Sequence, residues 1–313
     1  MRFLYAAVVA VVLTACQSHT TMLPVQSGSP ARFAIGHAAR MHPNDVTSSL
    51  GSFSSPTGVA VDSSDNVYVA AYTGKVVERS SNGSVSTIYK GNFDVPVGMC
   101  VDSAGNLYFS VNDIYNLVGG YIAEYSTSGT TTTLHSGMDG PWGIAIDSTA
   151  SNIYVAVNDD NHLLKLPSPF TKSTALETDT EEPIGVAVDS AGNVYFTHET
   201  EIEEISNGTT SVYASGFGEP YGIDVDSSGN LYVADRGQNE IKEVYTDGTV
   251  AIRGSGFSEP YDVKVDADGN IFVADYGNNE VKLITSTGST STISTDFVTP
   301  TSVSLASSSS MRG

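Results

Sequence analysis

At 313 residues, with 40% hydrophobic and 16% charged residues, the chain has the composition of a folded globular protein with room for a sizeable core. Its 14 Lys plus Arg stand against 35 Asp plus Glu, a formal net charge of -21 that repels phosphate backbones and lacks the basic footprint of a nucleic-acid binder. No nucleic-acid partner is expected.

The N-terminal residues read as a targeting signal. Arg2 supplies a positive charge, Phe3 to Val12 form an apolar run, and Leu13-Thr14-Ala15-Cys16 follows directly. Those four residues resemble the lipobox of bacterial lipoproteins. The resemblance implies cleavage before Cys16, acyl chains on that cysteine, and an exported protein anchored to the cell envelope through its lipid alone. Gln17 and Ser18 follow, with no Asp beside the cysteine, so the outer membrane is expected if the source is Gram-negative. A lipidated Cys16 leaves Cys100 without an intramolecular partner, and stability then has to come from packing. Residues 1–15 are assigned to the signal peptide, 16–30 to the lipidated cysteine and a flexible Ser, Thr, Gln and Pro rich tether, 31–306 to the fold, and 307–313 to a disordered tail.

From Pro56 a repeat takes over. Pro-x-Gly occurs at Pro56-Thr57-Gly58, Pro96-Val97-Gly98, Pro141-Trp142-Gly143, Pro183-Ile184-Gly185 and Pro220-Tyr221-Gly222, then drifts to Pro260-Tyr261-Asp262 and Pro300-Thr301-Ser302. Successive prolines lie 40, 45, 42, 37, 40 and 40 residues apart. A period near 40 with several short strands per unit predicts an all-β fold, a β-propeller of four-stranded antiparallel blades, each unable to bury its faces alone. Between the first two strands of a unit lies Asp-x-x-Gly-Asn, as at Asp226 to Asn230, where Asp caps the turn and Gly takes a positive φ. The turn recurs in nearly every unit and lacks the carboxylate ladder of a calcium loop, so neither metal nor other cofactor is expected there.

The pattern Pro-x-Gly-Val-x-Val-Asp-x-x-Gly-Asn-Val-Tyr-Val-Ala-Asp, followed by the Asn and apolar residue of Asn239-Glu240-Ile241 and Asn279-Glu280-Val281, is similar to the NHL repeat. The resemblance covers about Ser54 to Ala306 and implies a propeller used as a sensor, binding or scaffold domain. Seven Pro-led inner strands are in phase, and only six are followed by three more strands. Residues 31–50 could supply the missing strands to the segment after Pro300, giving seven blades with a split closing blade; the alternative is a six-bladed ring.

One face carries the middle residues of Pro-x-Gly and the residues just after the second strands; the opposite face carries the monotonous hairpins. Loops that vary on one face of a repeat scaffold are where binding is expected. Trp142, Tyr221 and Tyr261 share the variable face with Asn112, Asn158, His198, Asp235 and Asp275, a set suited to a protein, peptide or glycan ligand through stacking and hydrogen bonds. The main expectation is therefore a monomeric, non-enzymatic binding module. The rival is a metal-dependent lactonase, hydrolase or lyase: the Asn and Asp ring resembles the metal site of gluconolactonase-like propellers, and His198-Glu199 is similar to the His and Glu of virginiamycin B lyase. Finally, the mid-strand slot holding Ala60, Cys100, Ala145 and Ala187 holds Asp224 and Lys264 in the next two units, and these two are expected to face each other, since either alone would be an uncompensated buried charge.

Overall fold

The computed structural model describes residues 55–294 apart from 92–93, 114–118 and 179. Six four-stranded antiparallel sheets, at residues 56–90, 94–138, 141–177, 186–215, 220–253 and 260–294, follow one another along the chain, and in each the strands pair in sequence order. We number these blades 1 to 6. Their innermost strands are Pro56–Val61, Asp94–Val101, Pro141–Ile146, Val186–Val188, Pro220–Val225 and Pro260–Val265. Each packs on the next, and the sixth packs on the first, so the sheets form a ring around a central axis.

Among the described residues the blades number six, the alternative of the two readings and not the favoured seven. Blades 6 and 1 share one apolar cluster, with Val59, Val69 and Val77 against Phe272, Val281 and Leu283. That seam is already dry and leaves no gap for another sheet. The segments assigned to the split blade, 31–50 and 300–306, lie outside the described residues, as do the lipobox, the tether and the C-terminal tail. Four further apolar clusters join the remaining blades to their neighbours, which is why the second strands are apolar on both faces.

The Pro-x-Gly signature has a geometric cause. Proline has no N–H to give a ladder, so it is tolerated at the start of the inner strand, and pairing with the second strand slips there by a bulge in five blades. The following glycine permits close approach: a Cβ at Gly58 would meet the Val97 carbonyl at 1.9 Å, at Gly98 the Trp142 carbonyl at 2.5 Å, at Gly143 the Ile184 carbonyl at 2.5 Å and at Gly185 the Tyr221 carbonyl at 2.2 Å. The blades therefore touch backbone to backbone at the axis. A Cβ at Gly222 would meet the Asp262 carboxylate instead, at 2.3 Å, and Asp262 is where the glycine pattern stops.

Each seam also carries an axial hydrogen bond, and the donors and acceptors differ around the ring. The Thr57 hydroxyl donates to the Pro96 carbonyl at 2.7 Å, the Ser110 hydroxyl to the Trp142 carbonyl, the Gly143 N–H to the Ile184 carbonyl at 2.8 Å and the Thr197 hydroxyl to the Tyr221 carbonyl at 2.6 Å. At the last two seams carboxylates accept: Asp224 from the Val265 N–H at 2.9 Å and Asp262 from the Val59 N–H at 3.0 Å. Lys264 acts on both acids. Its ammonium pairs with Asp262 at 3.2 Å and is also the main favourable charge acting on Asp224. The ion pair observed for Lys264 is thus with Asp262 of its own strand, while the expected partner Asp224 feels it as a favourable charge; all three are buried.

On the hairpin face the acidic turns are saturated. Asp226 accepts the N–H groups of Ser228 and Asn230 at 2.8 and 2.9 Å on one oxygen, and the Asn230 amide and Tyr232 hydroxyl at 2.8 and 3.4 Å on the other. Asp62, Asp102 and Asp189 repeat the arrangement with their own Asn and Tyr. The recurrence of Asp in this turn is therefore explained by hydrogen bonding. Blade 1 puts Asp65 in the positive-φ position, at φ 62°, where blade 3 has Ala150 and the other four blades have glycine. Burial, together with Asp266, Asp268 and Asp62, pushes the Asp65 carboxyl up to about 6.

Candidate functional site

The bulge at Pro-x-Gly turns the middle residue toward the variable face, and three aromatics meet there. Trp142 and Tyr221 have ring centroids 5.7 Å apart at 84°, and Tyr221 and Tyr261 lie 4.8 Å apart. Tyr276, from the short 3-10 turn Tyr276–Asn278, stacks on Tyr261 at 4.2 Å and 18°. Edge-to-face and offset arrangements of this kind are the favoured ones, so the cluster is a fixed platform.

Arg236, in the equivalent turn of blade 5, completes it. Its guanidinium lies 5.2 Å from the Tyr221 ring and 5.7 Å from the Tyr261 ring, while its nitrogens reach Glu219 at 2.7 and 2.8 Å and Glu259 at 2.9 Å. Burial works against this cation, but the bond to Glu259 and the charge of Glu219 outweigh it and raise its proton affinity. Burial likewise pushes the Tyr221 and Tyr261 hydroxyls up, so both remain neutral donors at working pH. The four rings and Arg236 all keep part of their surface open to solvent.

Below the platform the axis is nearly filled. A cavity of about 30 Å³ lies between the inner strands, lined among others by Thr57, Trp142, Ile184, Tyr261, Asp262 and Lys264. That is space for about a water or two and not for an organic substrate. A larger groove, about 410 Å³, opens on the variable face between blades 3, 4 and 5. Its walls are Asn161, Glu181, Glu182, Ile184, Glu199 and Glu219, so Ile184 borders both spaces and Glu219 ties the groove to the platform through Arg236.

The polar residues expected to accompany the aromatics are distributed differently. Asp235 and Asp275 are fully buried below the face. Asp235 accepts the Gly218 and Glu219 N–H groups at 3.0 and 3.1 Å and pairs with Lys242 at 2.7 Å. Asp275 accepts from Ser258 and Asn278 and pairs with Lys282. These acids hold the loops that carry Arg236 and Tyr276, with their lysines lying over Phe217 and Phe257. Asn158 is a strut from blade 3 to the Pro183 carbonyl at 3.4 Å, and Asn112 sits half-buried in blade 2. His198 is mostly buried against Phe196, with Nε2 3.8 Å from Glu203 and no hydrogen-bond partner on either ring nitrogen.

The divalent cation implied by a lactonase-like ring does not fit these residues. The two carboxylates that would hold it are neutralised by buried lysines, and among the described residues no three His, Cys, Asp or Glu side chains are grouped to bind a metal. The sequence reading missed Arg236, Glu219, Glu259 and Tyr276. A readable signal existed: Arg236 and Tyr276 follow the Asp that ends the second strand in their blades, a slot in which the repeat imposes no residue.

The ring of four-stranded blades and its platform define a β-propeller. The NHL repeat matches residues 257–282, which run from the turn before blade 6 into its third strand, and this match together with the ring of blades supports an NHL-repeat β-propeller. No curated protein matches it. Similar solved structures include virginiamycin B lyase from Staphylococcus aureus, at 16% identity and TM-score 0.59 over 78% of this chain and 86% of that one. Another is a chain of the nidogen/laminin complex, at 20% identity and TM-score 0.65 over 74% of this chain and 93% of that one. A structural genomics protein of unknown function from Bacteroides thetaiotaomicron has 15% identity and TM-score 0.63 over 74% and 70%. At these identities the likeness is one of fold.

Proposed function

We propose that this propeller is a binding module that engages a protein or peptide partner on its variable face, and that Cys16 carries the lipid that tethers it to the bacterial cell envelope. The observation that carries the reading is the Trp142, Tyr221, Tyr261, Tyr276 and Arg236 platform, part-exposed and set rigidly above a filled axis. Rigid aromatics with an arginine are the residue types that anchor interfaces, because they bury large area with little loss of conformational freedom. The nidogen/laminin neighbour, a propeller in a protein complex, is in keeping with that use.

Affinity capture from envelope extracts tests it. A partner held by the wild type and lost with Trp142→Ala or Tyr221→Ala supports the reading; retention by both variants removes the platform from the interface. Cys16→Ala should move the protein out of the membrane fraction, and its retention there would refute the lipid tether. A metal-dependent reading finds Asp235 and Asp275 already paired with Lys242 and Lys282.

A further inference from the structure

The groove beside the platform has a chemical preference of its own. Glu181, Glu182 and Glu199 line it, and none of the three is in an ion pair among the described residues. Exposed Asp139, Asp159 and Asp160 extend the negative charge along the loops at the top of blade 3. The loops of blades 3 and 4 on this face, residues 139–142, 158–161, 178–185 and 198–201, contain no lysine or arginine. The charge is therefore not self-compensated, in contrast to blades 5 and 6, where Arg236, Lys242 and Lys282 answer the acids.

A second observation lies in the platform. Arg236 shows what these surroundings hold: a guanidinium set against the Tyr221 and Tyr261 rings and between two glutamates. The groove continues that chemistry outward. Glu219 is shared by Arg236 and the groove wall, and Ile184 gives it an apolar floor that reaches the axial cavity under Trp142. An extended segment lying in the groove would meet carboxylates along its length and, past Ile184 and Glu219, approach the platform. Its favoured side chains are long, cationic and partly apolar, able to lie along Ile184 and the rings while presenting charge to the glutamates. We infer that the groove is the docking site of a basic, arginine- or lysine-rich segment of the partner protein. This rests on the binding-module reading and adds the class of ligand to it.

Trp142 is the chain's single tryptophan and lines the axial cavity together with Ile184 of the groove, so its emission reports binding beside it. The purified full chain is titrated with an oligo-arginine peptide, an oligo-lysine peptide and a Gly-Ser peptide of equal length, at low and at raised salt. The expected result is a saturable change in Trp142 emission with the two basic peptides, weaker at raised salt, and none with Gly-Ser. The triple variant Glu181→Gln, Glu182→Gln, Glu199→Gln changes exposed loop residues and should melt as the wild type does, yet bind the basic peptides roughly tenfold more weakly, as expected for three partly screened charges. Equal response to Gly-Ser, or unchanged affinity in the triple variant, would overturn the inference while leaving the binding-module reading intact. That reading fails separately, if a captured partner is indifferent to Trp142→Ala and Tyr221→Ala.

Discussion

Blades 1 to 4 and blades 5 and 6 meet the same requirement at the axis with different chemistry. In the first arc the seams are joined by hydroxyls and a backbone N–H, from Thr57, Ser110, Gly143 and Thr197, all neutral and each acting at its own seam. In the second arc the carboxylates of Asp224 and Asp262 do the joining and share one lysine. The difference shows that the repeat frame accepts either solution, but the ionic one cannot be altered one residue at a time. Losing a hydroxyl removes its own bonds, whereas losing the lysine leaves two buried acids without a cation.

The largest effect should therefore come from Lys264→Met, with a loss of about 3–5 kcal/mol by denaturant unfolding at about pH 8. Thr197→Met is too large for the site, so the matched probe in the neutral arc is Thr197→Val. It strips the Gly185 N–H and the Tyr221 carbonyl of their shared partner and should cost about 1–3 kcal/mol. A loss at Thr197 as large as that at Lys264 would erase the distinction between the arcs.

The two arcs should also differ in their response to pH. Burial pushes the Asp224 carboxyl up to about 7, against which Lys264 and the backbone N–H groups act only in part, and burial raises Asp262 as well. The folded state then holds these protons more tightly than the unfolded chain does. The contribution of Asp224 is fully present below the ordinary carboxylate range and is lost as pH rises through about 7, and that of Asp262 has the same sign. Thermal melts of the wild type should move upward from about pH 8 to about pH 5, Asp224→Asn should flatten that slope, and the Lys264→Met deficit should shrink on acidification. Thr197→Val should keep the wild-type slope. The smallest effect, a gain of about 0.5–1 kcal/mol, is expected from Asp65→Gly, which relaxes a positive-φ residue and removes a charge facing Asp266 and Asp268. A loss there would mean that the side chain of Asp65 holds the hairpin in a way its geometry does not reveal.

Much of this was legible in the sequence, and the failures have physical causes. The period and the Asp-x-x-Gly-Asn turns specify blades because each feature is a local requirement of a hairpin or a close contact. Blade number is not local. Pro300-Thr301-Ser302 keeps the proline rhythm, yet the axis depends on the glycine after it, and the change from Gly222 to Asp262 marks the seam at which the ring closes. Trp142, Tyr221 and Tyr261 were readable as neighbours on one face because they fill a slot the frame leaves free. Asp235 and Asp275 were misread as part of an open ring because strand-end position does not say whether a side chain looks out or folds under. The clue was Lys242 and Lys282, in the same relation to their acids in both blades. The groove glutamates went unread because an acid beside the repeat's proline, as at Glu182 and Glu219, does not by itself say that it lines a groove.

In every described blade the strands pair only with strands of the same blade, so among the described residues no segment of one blade is woven into another. The bond from Val59 to Asp262 spans 203 residues of sequence and can form only once the intervening blades are in place. Closing so long a loop carries an entropy cost that grows only slowly with its length, while the blades themselves are built from near neighbours. Folding is then a serial stacking that ends in one long-range step, and the reverse of that step is the natural first excursion from the native state. In native-state hydrogen exchange the Val59 amide should trade its proton through a sub-global opening at the seam, ahead of the amides inside each blade.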